Sequence, residues 1–292
     1  MIKYTMAQIV TLTGIKAHTL RKWETRYDFL EAERTDTNIR FYSDIQLKKL
    51  LNIAVLTRNG YRISKINKMS EKEIHKTITE LLINSTNEDE ISALIVSMIE
   101  MNEEVFNNII KSQIIEKGLV TVTSELIYPF LNQVGVLWGV NKVMPAQEHF
   151  ISNLIKKKMF SAIDLLPNPL EDASSIMMFL PEDESHEIGL LLGYYIARQL
   201  GWKVYYLGQN VPTENIKQVV NITNPDVLLT MFVTPTQKST KSIIEEILDF
   251  VSVPLLVSGN PKTLETIKDD KRVEYMNSPK DFINKLKNNR VV

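Results

Sequence analysis

Residues 173–292 alternate short apolar runs with amphipathic stretches five times, and this alternation constrains the fold more than any other feature of the sequence. The runs predicted as strands are residues 175–180, 203–207, 226–233, 254–257 and 273–276. The predicted helices are residues 188–200, 213–221, 242–250, 262–269 and 280–288. Strands joined by helical crossovers pair in parallel. We therefore predict a five-stranded, doubly wound parallel sheet of the flavodoxin-like (Rossmann-type) kind.

Two helical regions precede this sheet. Within residues 1–70, short apolar helices flank Gly14, and a polar turn with alternating residues follows at 34–42, which predicts a winged helix-turn-helix domain. Apolar residues recur at helical spacing through residues 87–167, which predicts a four-helix bundle with Pro145 in the first turn of its last helix. Residues 71–86 are polar and are interpreted as a linker. The prediction is a multidomain α and α/β chain, with a head (1–70), a linker (71–86), a bundle (87–167) and a sheet domain (173–292).

Charge is divided unevenly along a chain whose formal net charge is only −1. Residues 1–70 carry 13 Lys and Arg against 6 Asp and Glu, whereas residues 71–292 carry 21 against 29. A basic head on an acidic body suggests that the head binds a polyanion. The absence of cysteine excludes disulfide scaffolds, Cys-ligated zinc, iron–sulfur clusters and thiol catalysis. Neither a signal-peptide core nor a bilayer-spanning apolar run is present, so we expect a cytoplasmic protein without a membrane partner.

The loops at the carboxyl edge of the predicted sheet are the expected ligand site, because doubly wound sheets bind ligands where the strand order reverses. The residues that these loops carry are Glu184, Ser185, His186 and Gly189 after the first strand, Gly208, Val211 and Pro212 after the second, Thr230 in the third, and Ser258 and Gly259 after the fourth. A phosphoacceptor domain would need an Asp where the third strand ends, and a dinucleotide site would need Gly-x-Gly-x-x-Gly after the first strand. Both patterns are missing, so both functions are excluded.

The second predicted helix of the head combines hydroxyl, cationic and aromatic groups that suit contacts to phosphates and base edges. The candidate DNA-binding residues are Thr19, Arg21, Lys22, Trp23 and Arg26 on and just after this helix, and Arg34, Arg40 and Tyr42 in the wing. The sequence TLRKWETRYDFL, followed by RTDTNIRFYS, resembles the winged helix-turn-helix of MerR-type regulators over about residues 3–70. That resemblance implies binding to promoter double-stranded DNA.

The loop after the first predicted strand resembles a cobalamin-binding domain, whose signature is an acidic residue-x-His-x-x-Gly. Glu184, His186 and Gly189 match it in the expected place. The resemblance implies that His186 is the lower axial ligand of the cobalt and that Glu184 orients its other ring nitrogen. It also implies a slot for the nucleotide tail, where Thr230-x-Phe232 takes the place of the family's Ser-x-Leu and Ser258-Gly259 that of its Gly-Gly.

The bundle contains Trp138, nine further residues, and then Glu148-His149, an element that resembles the light-sensing cobalamin regulators of the CarH/LitR type. This resemblance implies that Trp138 packs against the 5′-deoxyadenosyl group of adenosylcobalamin, that Glu148 hydrogen-bonds that group, and that His149 becomes the upper cobalt ligand after photolysis. It further implies a homo-oligomer, dimer or tetramer, that represses promoters in darkness. Light cleaves the Co–C bond, the oligomer disassembles and the DNA is released, with no small-molecule substrate turned over.

Three alternatives remain beside a photoreceptor repressor. The first is a regulator that responds to cobalamin itself and not to light. The second is a cobalamin-dependent enzyme or methyl carrier, although the chain has no residues left for the substrate barrel that such proteins normally work with. The third is a MerR-type regulator whose C-terminal half is a relic or binds another ligand.

Overall fold

The computed structural model describes residues 3–27, 30, 32–34, 38–81, 87–139, 144–234, 236–267 and 270–288, without the side chains of 79 and 136–139. Backbone contacts divide the chain into two compact units, Met1–Leu154 and Ile155–Val292. No helix among the described residues is long and apolar enough to cross a membrane.

The head contains two short helices followed by a small antiparallel sheet. Its elements are β1 (Lys3–Thr5), α1 (Met6–Thr13), α2 (Ala17–Glu24), β2 (Glu33–Arg34), β3 (Arg40–Ser43), α3 (Asp44–Arg58) and α4 (Ile63–Ile66), with sheet order β1-β3-β2. Capping boxes begin α1 at Thr5 and α3 at Ser43, since each hydroxyl accepts from a backbone N–H and a Gln side chain accepts in return. Gly14 ends α1 at φ +70. The predicted winged helix-turn-helix is confirmed.

Among the described residues, seven helical elements in succession make up the middle of the chain. They are α5 (Glu71–Leu81), α6 (Asn87–Ile99), α7 (Glu103–Lys117), α8 (Leu119–Val122), a π-helical turn (Thr123–Ile127), α9 (Tyr128–Gly139) and α10 (Pro145–Asp164). The backbone stays helical from α8 through the π-helical turn into α9. Pro129 has no backbone N–H and its ring crowds the carbonyl one turn earlier, which explains the widened turn before it.

The predicted helical bundle is thus confirmed, and its last helix begins at Pro145 as expected. Within the first unit, Leu94, Met98, Phe106 and Phe130 are completely buried, and the rings of Phe106 and Phe130 lie 5.8 Å apart. Part of the segment that was interpreted as a linker is the helix α5. Its residues Ile74 and Ile78 are buried against the end of α3.

The second unit is the predicted parallel sheet. Its strands are β4 (Ser175–Pro181), β5 (Lys203–Val211), β6 (Val227–Phe232), β7 (Leu255–Gly259) and β8 (Val273–Tyr275), in the order β5-β4-β6-β7-β8. Its helices are α11 (Ile188–Gln199), α12 (Thr213–Thr223), α13 (Thr240–Leu248), α14 (Pro261–Leu264) and α15 (Pro279–Asn288). The order reverses at β4, so the crevice between the carboxyl ends of β4 and β6 is the expected ligand site.

Two elements of this unit differ from the prediction. Strand β5 continues to Val211, because its pairing with β4 shifts register after Met178 while Gly208 and Asn210 take positive φ angles of +78 and +57. Helix α14 ends at Leu264, whereas a helix was predicted for residues 262–269, of which 268–269 lie outside the described residues.

Candidate cofactor site and nucleic-acid interface

Glu184 organises the loop that follows β4. Its side chain has no exposed surface, and Oε1 accepts hydrogen bonds from the backbone N–H groups of Ser185 and His186, both at 3.0 Å. Oε2 accepts from the backbone N–H groups of Val233 and Thr234 at 2.7 and 2.8 Å, just beyond the end of β6. One carboxylate therefore ties the loop after β4 to the end of β6, the two places between which the strand order reverses.

These hydrogen bonds keep Glu184 ionised. Burial alone would raise its pKa, but the hydrogen bonds from His186 and from the backbone groups of Thr234, His186 and Val233 outweigh burial and lower the pKa to about 2. A carboxylate that is charged at neutral pH only accepts hydrogen bonds. Its contact with the His186 ring therefore fixes which ring nitrogen carries the proton.

His186 has an oriented and accessible ring. Its Nδ1 lies 2.7 Å from Oε1 of Glu184, and 54% of its side chain is exposed. Because Nδ1 donates to the carboxylate, Nε2 of the neutral ring presents its lone pair away from Glu184. A metal-binding histidine usually has its other ring nitrogen held by a carboxylate in this way. The pair Glu184–His186 thus has the chemistry that the sequence predicts for a lower axial ligand.

The loop is braced from β5 by a residue that the sequence did not single out. Asn210 accepts a hydrogen bond from the Asp183 backbone N–H through Oδ1 at 3.0 Å, and its own N–H donates to the Glu184 carbonyl at 3.1 Å. Both Asp183 and Asn210 have positive φ angles. Asn and Asp tolerate this conformation better than other residues with side chains, and that tolerance is the local signal that could have identified them.

The remaining predicted loop residues lie at the same edge of the sheet. Ser185 is exposed, and Gly189 lies in the first turn of α11; Gly208 and Val211 belong to the last part of β5, and Pro212 precedes α12. Thr230 is fully buried in β6, and its hydroxyl has no hydrogen-bond partner among the described residues. The Ser258 hydroxyl donates to the Met276 carbonyl at 2.7 Å.

Gly259 has no room for a side chain. Its φ is +139, and a Cβ atom built there would lie 2.1 Å from the Phe232 carbonyl oxygen. The ends of β6 and β7 lie so close together here that only glycine fits at this position.

These residues fit a corrinoid. The Glu184–His186 pair supplies an oriented imidazole, and the Thr230 hydroxyl is a buried polar atom that a polar group of a ligand would satisfy. Among the described residues, no group of three His, Cys, Asp or Glu side chains could hold a bare metal ion. A single histidine suits a metal that arrives already held by a macrocycle.

The upper-face residues predicted from the bundle lie at the two sides of one connection. Trp138 belongs to the last turn of α9, although its side chain is outside the described residues, and Glu148 and His149 lie in the first turns of α10. The His149 Nδ1 lies 2.9 Å from Oε2 of Glu148, and 72% of the His149 side chain is exposed. Helix α10 begins at Pro145, as expected, and Met144 before it is not helical.

The predicted DNA-binding residues of the head divide into exposed and braced groups. Arg21, Lys22, Arg26 and Arg34 are exposed, while Thr19 and Trp23 are half-buried. Arg34 donates from Nη1 to Oδ1 of Asn38 at 2.6 Å, and Asn38 has a φ of +64. Asn38 thus serves as the turn former before β3.

Glu24, at the end of α2, binds both remaining wing residues. Its Oε2 accepts from Nε of Arg40 at 2.8 Å, and its Oε1 accepts from the Tyr42 hydroxyl at 2.7 Å. Burial and the hydrogen bond to Glu24 raise the pKa of Tyr42, so its hydroxyl stays protonated and donates. Because Tyr42 has no exposed surface, the structure does not support the predicted direct contact of Tyr42 with DNA. The side chain instead braces α2 against β3.

Comparison with known proteins gives two family matches and several relatives. Residues 4–73 match the family described as MerR HTH family regulatory protein, and residues 90–161 match the family described as B12 binding domain. The HTH-type transcriptional repressor CarH of Myxococcus xanthus is 25% identical over 74% of this chain and 74% of its own length. The HTH-type transcriptional repressor CarA of the same organism is 26% identical over 86% of this chain and 84% of its own.

A solved structure supports the fold independently. The monomethylamine corrinoid protein of Methanosarcina barkeri has a TM-score of 0.51 and 15% sequence identity, covering 68% of this chain and 97% of that one. This likeness shows the fold over the part of the chain that it covers. The chain therefore has a MerR-type helix-turn-helix domain and a B12-binding domain, and it is homologous to the CarH and CarA repressors.

Proposed function

We propose that this protein is a transcriptional repressor that binds promoter DNA through its head and adenosylcobalamin through its sheet domain and bundle, and that light releases it from DNA. The observation that carries the proposal is the Glu184–His186 pair at the point where the strand order reverses. It occurs in a chain whose relatives are named as HTH-type repressors and whose bundle matches a B12-binding domain.

On the lower side, His186 would hold the cobalt through Nε2, with Glu184 holding the ring by Nδ1. The carboxylate stays charged, so it raises the basicity of the imidazole and fixes its direction. Thr230 offers its hydroxyl to the nucleotide tail, and Ser185, Gly189, Gly208, Val211, Pro212, Ser258 and Gly259 line the same edge of the sheet.

On the upper side, Trp138 and Glu148 would hold the adenosyl group, and His149 would serve as a ligand for the cobalt after that group has left. Adenosylcobalamin supplies, when bound, a Co–C bond that light cleaves. His149 suits its role because its ring is largely exposed and its Nδ1 contacts Glu148, which leaves Nε2 as the nitrogen for a metal. These assignments rest on the resemblance of the Trp-x9-Glu-His element.

The head supplies the output. Arg21, Lys22, Arg26 and Arg34 are exposed cations at the end of α2 and in the wing, where phosphate contacts place a helix-turn-helix on DNA. A homo-oligomer, dimer or tetramer, presents several heads to one promoter, and its disassembly weakens binding by removing that multivalency. The function is regulatory, so the protein is not an enzyme.

The test compares three proteins, wild type, His186→Ala and a control variant, each with adenosylcobalamin, in darkness and after green light. Size-exclusion chromatography measures assembly, and mobility shift measures DNA affinity. Wild type should bind the cofactor and show the absorption spectrum of cobalamin with a histidine bound to its cobalt. It should assemble in darkness and release DNA after illumination. His186→Ala should lose that spectrum, whereas the matched control His75→Ala, on α5, should behave as wild type.

Wild type that keeps its oligomeric state and DNA affinity under green light, yet responds to adding cobalamin, would establish the light-independent regulator. Wild type that binds no cobalamin would contradict the proposal altogether.

A further inference from the structure

Glu187 follows His186 directly, yet its side chain is turned away from the helix that it begins. Glu187 occupies the position before the first residue of α11 and makes no capping hydrogen bond with its side chain. Its Oε2 accepts from the Tyr206 hydroxyl on β5 at 3.1 Å, and its Oε1 lies 3.3 Å from Nζ of Lys156 on α10. Glu187, the residue next to the proposed cobalt ligand, therefore contacts side chains on two elements outside its own loop, β5 and α10.

The Tyr206 ring is fixed on two sides. It stacks on Tyr194 of α11 with centroids 5.0 Å apart and planes 17° apart, and Phe160 of α10 meets it edge-on at 6.3 Å. A ring held by aromatic neighbours presents its hydroxyl in one direction. Burial and the Glu187 carboxylate raise the pKa of Tyr206, so the hydroxyl remains a donor.

Lys156 and Phe160 lie one helical turn apart on α10, so one face of this helix contacts both Glu187 and Tyr206. The Glu187 side chain is only 11% exposed, and a carboxylate at that depth needs a cationic partner. Removing Lys156 would leave Glu187 with the Tyr206 hydroxyl, and the carboxylate would then turn toward water. Because Glu187 adjoins His186 in the chain, such a movement displaces the backbone that carries the ring.

We propose that Glu187 is a positioning residue for His186, and that Lys156 on α10, through Glu187 and Tyr206, sets how firmly the histidine loop holds a corrinoid. The inference rests on the proposed function, since it concerns the same site. It adds a route by which α10, the helix whose first turns carry Glu148 and His149, acts on the lower ligand.

The first readout uses protein without cofactor. Hydrogen–deuterium exchange reports the backbone N–H groups of Ser185 and His186, both of which donate to Glu184. Glu187→Gln and Lys156→Met should accelerate exchange at these two amides and leave the rates in β6 and β7 unchanged. Lys156→Arg should restore slow exchange. The control Glu182→Gln changes an exposed carboxylate in the same loop and should have no effect.

The second readout is the spectrum and affinity of bound cobalamin. Glu187→Gln and Lys156→Met should each lower the fraction with histidine on the cobalt and weaken binding by about 10-fold, the lower end of the range for partners of metal-binding histidines. The double variant should bind cobalamin no more weakly than either single variant, since both substitutions remove the same Lys156–Glu187 interaction. Lys156→Arg should recover the wild-type spectrum.

The outcomes separate the two proposals. Wild-type protein that binds cobalamin through His186, with variants that keep wild-type spectra and exchange rates, overturns this inference and leaves the proposed function standing. Wild-type protein that binds no cobalamin, or binds it unchanged after His186→Ala, overturns both.

Discussion

Gly259 ends β7 in a backbone conformation that only glycine adopts easily, and the Phe232 backbone leaves no space beside it. Gly259→Ala should therefore destabilise the second unit by about 1–3 kcal/mol or more, because the strain of the conformation adds to a clash with main-chain atoms. The midpoint of urea unfolding in cofactor-free protein measures this loss.

Gly208→Ala is the matched control for Gly259. Its φ is also positive, at +78, but the nearest atom to a built Cβ is Cε1 of Tyr206 at an ordinary 3.6 Å. This variant has the conformational strain without the clash, so its unfolding midpoint should fall less. Equal losses at the two positions would contradict the assigned role of the Phe232 backbone.

Tyr42 tests whether a residue of the head acts on DNA indirectly. Tyr42→Phe removes the hydroxyl that donates to Glu24, which costs about 1.5–3 kcal/mol when the acceptor is charged. We expect a lower unfolding midpoint and weaker DNA binding together, with Glu24→Gln reproducing both effects. Weaker DNA binding with an unchanged midpoint would instead indicate that Tyr42 contacts DNA.

Two ion pairs of very different burial connect α3 to α6 and to Glu100, the residue that follows α6. Asp89 of α6, with 3% of its side chain exposed, accepts from Nε of Arg58 at 2.5 Å and from Nδ2 of Asn59 at 2.7 Å. Asp89→Asn should lower the stability of the first unit by about 1–3 kcal/mol, because Arg58 loses its charged acceptor. Urea unfolding followed by helical circular dichroism measures the change.

The second of these pairs provides the control. Lys48 and Glu100 lie 2.8 Å apart with 31% and 26% of their side chains exposed. Glu100→Gln should cost less than about 1 kcal/mol, since exposed pairs contribute little. If both variants lowered the midpoint equally, burial would not be what makes the Asp89 contact strong.

Elements with a strong period were predictable from the sequence, and contacts between distant residues were not. The five parallel strands of the second unit follow from apolar runs separated by helices. The end of β5 was not predicted, because the apolar pattern stops at residue 207. The strand continues beyond it to Val211, with positive φ angles at Gly208 and Asn210.

The candidate site shows the same division. The position of His186 could be predicted from its loop and its motif. The partners of Glu187 could not, since they lie 31 residues upstream and 19 residues downstream of it, on α10 and β5. The burial of Tyr42 could not be predicted either, because its hydroxyl resembles that of a surface residue in sequence and only packing shows that the side chain is buried.

At the scale of the whole molecule, the basic head on a chain of net charge −1 predicts strong salt dependence of DNA binding. Each phosphate contact releases counterions, so Arg21→Ala should weaken binding and reduce the slope of log affinity against log salt by about one. Fluorescence anisotropy over a salt series measures the slope. Lys262→Ala, an exposed cation of the second unit, is the control and should leave it unchanged.

The last prediction separates the two axial roles. His149 lies in the first turns of α10 with an exposed ring and is proposed to bind cobalt only after the adenosyl group has left, whereas His186 binds throughout. His149→Ala should therefore bind adenosylcobalamin and assemble in darkness like wild type. After green light it should exchange its cobalamin for added cofactor faster than wild type does, because only one protein ligand remains. Absorption spectroscopy and gel filtration before and after illumination measure both effects. A His149→Ala protein that already fails to assemble in darkness would show that His149 acts before photolysis, and the proposed order of ligand exchange would be wrong.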